Sequence, residues 1–259
     1  MLMIFASDPH GTGQPWINLI EQAKQKYPDA QIVFGGDYID GRSFSKETLE
    51  YVMRSVKHDH AIALLGNHEQ MMIDFIEQGD SLWYANGAKT TVKSLLKRGY
   101  SKKRTRQLLT QSPYYRFIKE LSLEYQCGRV EFVHAGINPD GSQTNKDYML
   151  WAREEYWYGE NRKPIFAHKI FAHNMTDKVI VSGHTPTCLI SGKFDGPHVD
   201  YPNGIMADTK TWHCPIVSVQ YENEPARIFT DNGCHGDLPD HNGNILVINE
   251  FGSVIDAFN

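Results

Sequence analysis

Short apolar runs closed by small or acidic residues alternate with amphipathic stretches through the first third of the chain. Leu2 to Ala6 is such a run and predicts a buried strand. From Gln14 to Tyr27, the apolar residues Trp16, Leu19, Ile20 and Ala23 recur at helical spacing, and Pro28-Asp29 closes the stretch. Gln31 to Phe34 predicts a second strand, stopped by Gly35-Gly36. Ser45 to Lys57 predicts a second helix, with Leu49, Val52, Met53 and Val56 on one face. Ser45 is its expected N-cap, although Thr48 stands where a full capping box has an acidic residue. Ala61 to Leu65 predicts a third strand, and His68 to Gln78 a third helix ended by Gly79. The order β-α-β-α-β-α predicts a parallel sheet with right-handed crossovers.

The middle, Ser81 to Lys119, reads as helical. The second half changes character. Ser122 to Gln126 and Arg129 to Val133 predict a hairpin around Cys127-Gly128. Further strands are expected at Val179 to Ser182, Ile216 to Tyr221, Ala226 to Thr230, Asn244 to Asn249 and Val254 to Phe258. Their close spacing and intervening turns predict an antiparallel sheet. Ser191 to Cys214 reads as a long loop. No repeat or linker interrupts the 259 residues, so a single domain over 1–259 is the expectation.

Composition adds limits. With 41% hydrophobic and 22% charged residues, the chain has an ordinary soluble, globular balance. A net charge of −5 argues against a broad nucleic-acid surface. Lys97 to Arg106 is locally basic and reads as a solvated face; the sharper alternative is a flank that attracts anionic substrates. Cys127, Cys188, Cys214 and Cys234 lie far apart without a C-x-x-C spacing, which points to free thiols in a reducing compartment. No apolar run approaches the roughly 20 residues of a membrane span, and the N-terminus lacks the basic start of a signal peptide. A soluble cytoplasmic protein without membrane partners is expected; oligomeric state is not legible.

The chemistry lies at the strand ends. Ligands of open α/β sheets bind beyond the carboxyl ends of the strands. Asp8-Pro9-His10, Gly36-Asp37-Tyr38-Ile39-Asp40 and Gly66-Asn67-His68-Glu69 follow the first three strands. Two residues apart on an extended chain, Asp8 and His10 point the same way and can reach one ion. A carboxylate such as Asp37 can bridge two ions, and Asn67 offers a neutral carbonyl oxygen. His68 would point elsewhere than Asn67, which suits a proton donor near neutral pH, with Asp40 as its partner. His134 and His184 follow two later strands and gain meaning only with the earlier donors.

The order D-x-H, G-D-x-x-D, G-N-H-E, H-A and G-H-T resembles the calcineurin-like metallophosphoesterases, most closely the phosphoprotein phosphatase branch and its phage and bacterial members. Gly66 to Asp74, Trp151-Ala152-Arg153-Glu154, Gly183-His184-Thr185-Pro186 and Asp231-Asn232-Gly233 also fall in the family's order. The resemblance runs from residue 3 to about 250. It implies a β-sandwich of two mixed sheets flanked by helices, with a dinuclear metal site at the strand ends. Asp8 and His10 would hold one ion, Asp37 would bridge, and Asn67, His134 and His184 would hold the other. His68 would be the general acid paired with Asp40. Arg153 matches a phosphate-binding arginine. The sequence departs from the family at Ser7, where glycine is usual, and at Asp40-Gly41-Arg42, where D-R-G is usual. That shift moves the expected phosphate contact of Arg42 by one position. The stretches at 191–214 and 234–242 are longer than in compact members.

Attack by a hydroxide shared between two divalent ions would then cleave a phosphate ester, and the mixed donor set suits Mn, Fe or Zn. The expected substrate is a phosphorylated protein or a small phosphate ester. One alternative is a symmetrical dinucleoside tetraphosphatase, its base stacked on Tyr84, Tyr114, Tyr115, Trp151 or Trp157. Another is a non-catalytic metal-binding scaffold with loops that dock a partner. His235 and His241 follow Asp231-Asn232-Gly233 and stand near the site in the family's order.

Overall fold

The computed structural model describes residues 1–159, 169–200, 214–236, 238 and 240–259. Most of the Ser191 to Cys214 loop and part of the 234–242 stretch therefore fall outside the described residues. Strands β1 (Leu2–Ala6), β2 (Gln31–Phe34) and β3 (Ile62–Ala63) pair in parallel, joined by helices α1 (Gln14–Lys26) and α2 (Ser45–His58). Helix α3 (Asn67–Gln78) follows β3. Side chains on β1 alternate between two cores. Ile4 and Ala6 join Trp16, Ile20, Leu49, Val52 and Met72 under the helices. Met3 and Phe5 face the other way, toward Phe132, Val181 and Ile228. Burial on both faces explains why these strands read as unbroken apolar runs.

The middle segment is helical, as its pattern predicts. It comprises α4 (Leu82–Ala85), α5 (Ala88–Leu96), α6 (Lys102–Thr110) and α7 (Pro113–Lys119). Its basic part does not flank the strand ends. Arg106 donates to the carbonyls of Ile76 and Glu77, and so caps α3 at the far end from Asn67. At 12 residues, α3 separates those ends by roughly 17 Å at about 1.5 Å per residue. A cavity of about 420 Å³ lies there between α3 and α6.

The second half differs from the antiparallel expectation. Strands β4 (Glu124–Cys127) and β5 (Val130–Val133) form the predicted hairpin. Next, β5, β6 (Val179–Ser182) and β8 (Arg227–Phe229) run parallel, and only β7 (Val217–Val219) returns antiparallel at the edge. The last two strands, β9 (Ile245–Asn249) and β10 (Val254–Phe258), leave this sheet and add antiparallel to β1. The sheets are thus β10-β9-β1-β2-β3 and β4-β5-β6-β8-β7. Alternation reports which residues are buried, not which distant strand lies alongside, so partner and direction escape a local pattern.

Phe5 stacks on Phe132 between the sheets, with ring centroids 5.2 Å apart. Helices α8 (Lys146–Trp151) and α9 (Glu154–Tyr158) follow β5. Tyr156 and Trp157 of α9 close a third core on the outer face of the second sheet. The layers are helices, sheet, sheet, helices, with β1, β2, β3, β5, β6 and β8 all directing carboxyl ends toward one region. Ser45 is not the cap of α2. Phe44 takes that position, while Ser45 begins the helix and its hydroxyl meets Thr91. No helix among the described residues is long and apolar enough to cross a membrane.

Candidate metal centre

The site forms where the loops after β1, β2 and β3 cross-link. Asp8 donates its backbone N–H to the Gly36 carbonyl, and His10 donates to the Asp37 carbonyl. The Glu69 carboxylate, with no exposed surface, accepts N–H groups from Asp37, Tyr38, Ile39 and Gly66. One side chain in the first turn of α3 therefore fixes the loop after β2 against the loop after β3. The approach leaves no room at Gly66, where a Cβ would lie 2.3 Å from both the nitrogen and Oδ1 of Asp37. The second sheet joins through the Asp8 carboxylate, which accepts the His184 backbone N–H at 2.9 Å. Ser7 contributes here too, its hydroxyl 2.9 Å from that of Thr230.

Asp8, His10 and Asp37 bring one ligand atom each within 4.8 Å of one another, and so do Asp37, His134 and His184. Asp37 belongs to both groups. Asn67 joins the second group, with its Oδ1 2.9 Å from His134 Nε2 and 3.0 Å from His184 Nδ1. The six residues expected from the sequence to bind metal are therefore assembled around one carboxylate. His134 places Nδ1 2.8 Å from the Gly35 carbonyl, and His10 places Nδ1 3.2 Å from that of Ile39. Donation of those N–H groups leaves each Nε2 lone pair facing Asp37, the arrangement common in metal-bound imidazoles.

The metal-free electrostatics are unfavourable for the protein alone. Burial, with Asp231 and Asp37 nearby, holds the Asp8 carboxyl well above its ordinary range. Burial lowers His10 and His184 well below theirs, and lowers His134 as well. Asp8 Oδ2 is buried without a hydrogen-bond partner. Neutral imidazoles, crowded carboxylates and an orphaned oxygen fit divalent cations, which would relieve both the repulsion and the unmet acceptor.

Beside this group, His68 Nδ1 lies 2.7 Å from Asp40 Oδ2. Asp40 is fixed from the helical middle, accepting from Trp83 Nε1 at 2.9 Å and Thr91 Oγ1 at 2.6 Å. Burial opposes the charged imidazole, but Asp37 and Asp40 outweigh it and bring His68 to about 9. The pair stands beside Asp37, with His68 Nε2 4.0 Å from Asp37 Oδ2. Arg153 stands at the rim, exposed, with Nη1 2.9 Å from Thr185 Oγ1. Arg42 reaches the chain that follows β8: Nε donates to the Cys234 carbonyl at 3.0 Å, and Nη2 to that of Leu238 at 2.7 Å.

The calcineurin-like phosphoesterase family pattern matches residues 1–219. The chain belongs to that family. It is a metallophosphoesterase, an enzyme of phosphoester hydrolysis. No curated protein is matched by its sequence. Its fold is shared with a candidate diadenosine tetraphosphatase, at a TM-score of 0.53 and 14% identity over 99% of this chain and 92% of that one. A serine/threonine phosphatase from Saccharomyces cerevisiae, similar to human PP5, gives a TM-score of 0.49 at 14% identity over 100% and 80% of the chains. A metallophosphoesterase from Sphaerobacter thermophilus gives 0.48 at 13% over 100% and 89%.

Two residues of this phosphoesterase site, Glu69 and Asp231, have no role that the motifs assign, and a third, His235, is expected there only from its place after Asp231-Asn232-Gly233. Glu69 was only the last letter of a motif, and its buried hub role needs the tertiary contact. Asp231 follows β8 as Asp8 follows β1, so its position at a strand end was the available signal. It is buried near Asp8, and burial with Asp37 brings it to about 7. His235 belongs to a 3-10 turn, Cys234–Gly236, and its ring centroid lies 4.7 Å from that of His10.

Replacing Glu69 by Gln should destabilise the phosphoesterase by about 2–4 kcal/mol, because an amide NH₂ would face backbone donors in a dry site. Chemical denaturation measures this, and an unchanged midpoint would remove Glu69 as the hub. The pH dependence of the metal-free protein has a definite sign. His68 contributes stability in full below its unfolded value of 6.5 and loses it as pH rises through about 9. Burial, with Asp37, raises Glu69 from 4.5 to about 8, so its charging destabilises the fold over that rise. The folded protein holds protons that the unfolded chain has released, and stability falls with pH. Thermal melts in EDTA should show Tm falling between about pH 7 and pH 9, with added Mn²⁺ raising it. A flat profile would contradict these assignments.

Proposed function

We propose that this phosphoesterase is a phosphomonoesterase acting on phosphorylated proteins or small phosphate esters, with two divalent ions of Mn, Fe or Zn. The observation that carries the reading is the 2.7 Å His68–Asp40 pair beside Asp37. A binding scaffold needs no proton donor at its metal site. Asp8 and His10 would hold one ion, Asn67, His134 and His184 the other, and Asp37 lies where it would serve both. When bound, such ions lower the pKa of water and withdraw charge from the ester.

The chain's own residues supply the rest. Asp40 accepts a hydrogen bond from the Nδ1–H of His68 and leaves Nε2–H to face the departing oxygen. His68 protonates that oxygen, so the leaving group need not depart as an alkoxide. Arg153, beside Thr185 and next to His184, binds a phosphoryl oxygen and neutralises its charge. No side-chain nucleophile is required.

A second reading, hydrolysis of a dinucleoside tetraphosphate, is favoured by one placement. Trp151 is 38% exposed and its ring centroid lies 6.2 Å from that of His184, so it can receive a nucleobase at the rim. Tyr114 and Trp157 are spent in the cores.

Protein loaded with Mn²⁺ should hydrolyse p-nitrophenyl phosphate, and EDTA should abolish the reaction. Turnover that survives EDTA would overturn the metal-dependent reading. Phosphopeptides, phenyl phosphate and a dinucleoside tetraphosphate assayed side by side decide between the two substrate classes. His68→Asn should lower kcat by about 10²–10⁴-fold on a poor leaving group. The wild-type rate should fall on the alkaline side as His68 loses its proton, at or below about 9, because nearby cations draw an imidazolium pKa down. An alkaline limb that persists unchanged in His68→Asn would remove His68 as the acid.

A further inference from the structure

The inverted order Asp40-Gly41-Arg42 has a structural counterpart across the site. Gly41 sits at φ 71°, and a Cβ there would meet His10 Cβ at 3.2 Å and the Cα of His235 at 3.3 Å. A side chain at position 41 would be strained by its backbone and would push on the Cys234–Gly236 turn. Glycine lets that turn lie directly against the loop carrying Asp40. The next residue then holds it. The Arg42 guanidinium donates to the Cys234 and Leu238 carbonyls, one on each side of His235, while its backbone N–H donates to the His10 carbonyl at 2.8 Å.

The turn is also anchored from its own start. The Gly233 N–H reaches Asp231 Oδ1 at 2.7 Å, and Gly236 donates to the Gly233 carbonyl at 3.1 Å. The outcome is a defined place for one side chain. His235 brings a ring nitrogen within 4.8 Å of nitrogens of His10 and His68. Its ring centroid is 4.7 Å from that of His10 and 5.3 Å from that of His68. Unlike those two rings, His235 is exposed, so it stands on the outer side of the proton donor.

We propose that Arg42 is a clasp for this turn and that the turn presents His235 to the bound ester as a substrate-positioning residue, its imidazole hydrogen-bonded to a phosphoryl oxygen on the leaving-group side. This inference rests on the phosphoester-hydrolase reading of the site. It gives the displaced arginine an indirect role: it acts on substrate through His235. The Cys234–Gly236 turn then shapes leaving-group preference, because whatever His68 releases departs past His235.

The test is a double-mutant cycle on Mn²⁺-loaded protein, read by calorimetric binding of inorganic phosphate and by kinetics on p-nitrophenyl phosphate. His235→Ala should weaken phosphate binding and raise KM about tenfold, the scale of one hydrogen bond to a charged group, with kcat changed less. His235→Asn should recover part of the loss. Arg42→Ala should reproduce the His235→Ala effect, and the double variant should be no worse than either single one. Arg42→Lys, a cation without the rigid fork, serves as the clasp variant if Arg42→Ala does not fold. Multiplying losses in the double variant would place Arg42 directly on phosphate and overturn the clasp. An unchanged phosphate affinity in His235→Ala would overturn the positioning role. If the unmodified protein hydrolyses no phosphate ester, the enzymatic reading fails, and the phosphate-binding arm still decides the clasp by itself.

Discussion

The Glu69 carboxylate is the constraint on which the rest of the site depends. It lies without exposed surface at the start of α3 and accepts backbone N–H groups from two loops. Its two oxygens offer the acceptor sites that so many N–H groups need, and an amide, with an NH₂ in place of one oxygen, does not. Removing it would leave several buried N–H groups unmet at once, each a cost of about 1–3 kcal/mol. Because those donors belong to Asp37, Tyr38, Ile39 and Gly66, the hub sets where the Asp37 carboxylate and Asn67 stand relative to each other. The nearby Asp37 charge and the burial make this arrangement costly in the absence of cations, which ties the stability of the hub to metal loading.

Backbone conformation carries the same message. Asp8, His10, Asp37, Asp40 and His184 all have positive φ, between 44° and 69°. Each residue without glycine's freedom is disfavoured there by roughly 1–2 kcal/mol. Such strain persists only where surrounding contacts over-determine it. Here the contacts are the loop-to-loop hydrogen bonds between β1 and β2 and the His184–Asp8 bond between the sheets. The strained turns aim short side chains back toward a common point, which an extended chain leaving a strand could not do. The folding energy of two sheets and their helices is thereby spent on positioning donors.

The two halves of the chain contribute unequal chemistry. The first sheet supplies the carboxylates Asp8, Asp37 and Asp40, together with His10, Asn67 and His68. The second supplies His134, His184 and Asp231, and the rim groups Arg153 and His235 come from the chain that follows its strands. The helical middle fixes Asp40 through Trp83 and Thr91. The His68–Asp40 pair is thus anchored from a part of the chain that supplies none of the residues grouped around Asp37.

The sequence alone determined a good deal. Apolar period and glycine punctuation located β1, α1, β2, α2 and α3 to within a residue or two, because those signals are local. Donor residues after apolar runs identified Asp8, His10, Asp37, Asn67, His134 and His184 as a group, because strand ends are where such sheets bind ligands. Only the tertiary structure decided that β5, β6 and β8 run parallel and that β9 and β10 close onto β1. Pairing across long separations depends on shape and shared burial, which alternation does not encode. The same limit hid Glu69, whose partners lie some 30 residues away, and the redirection of Arg42 toward a turn more than 190 residues distant. A side chain's type can be read from its letter, but the identity of what it faces is set by the packing of the whole chain.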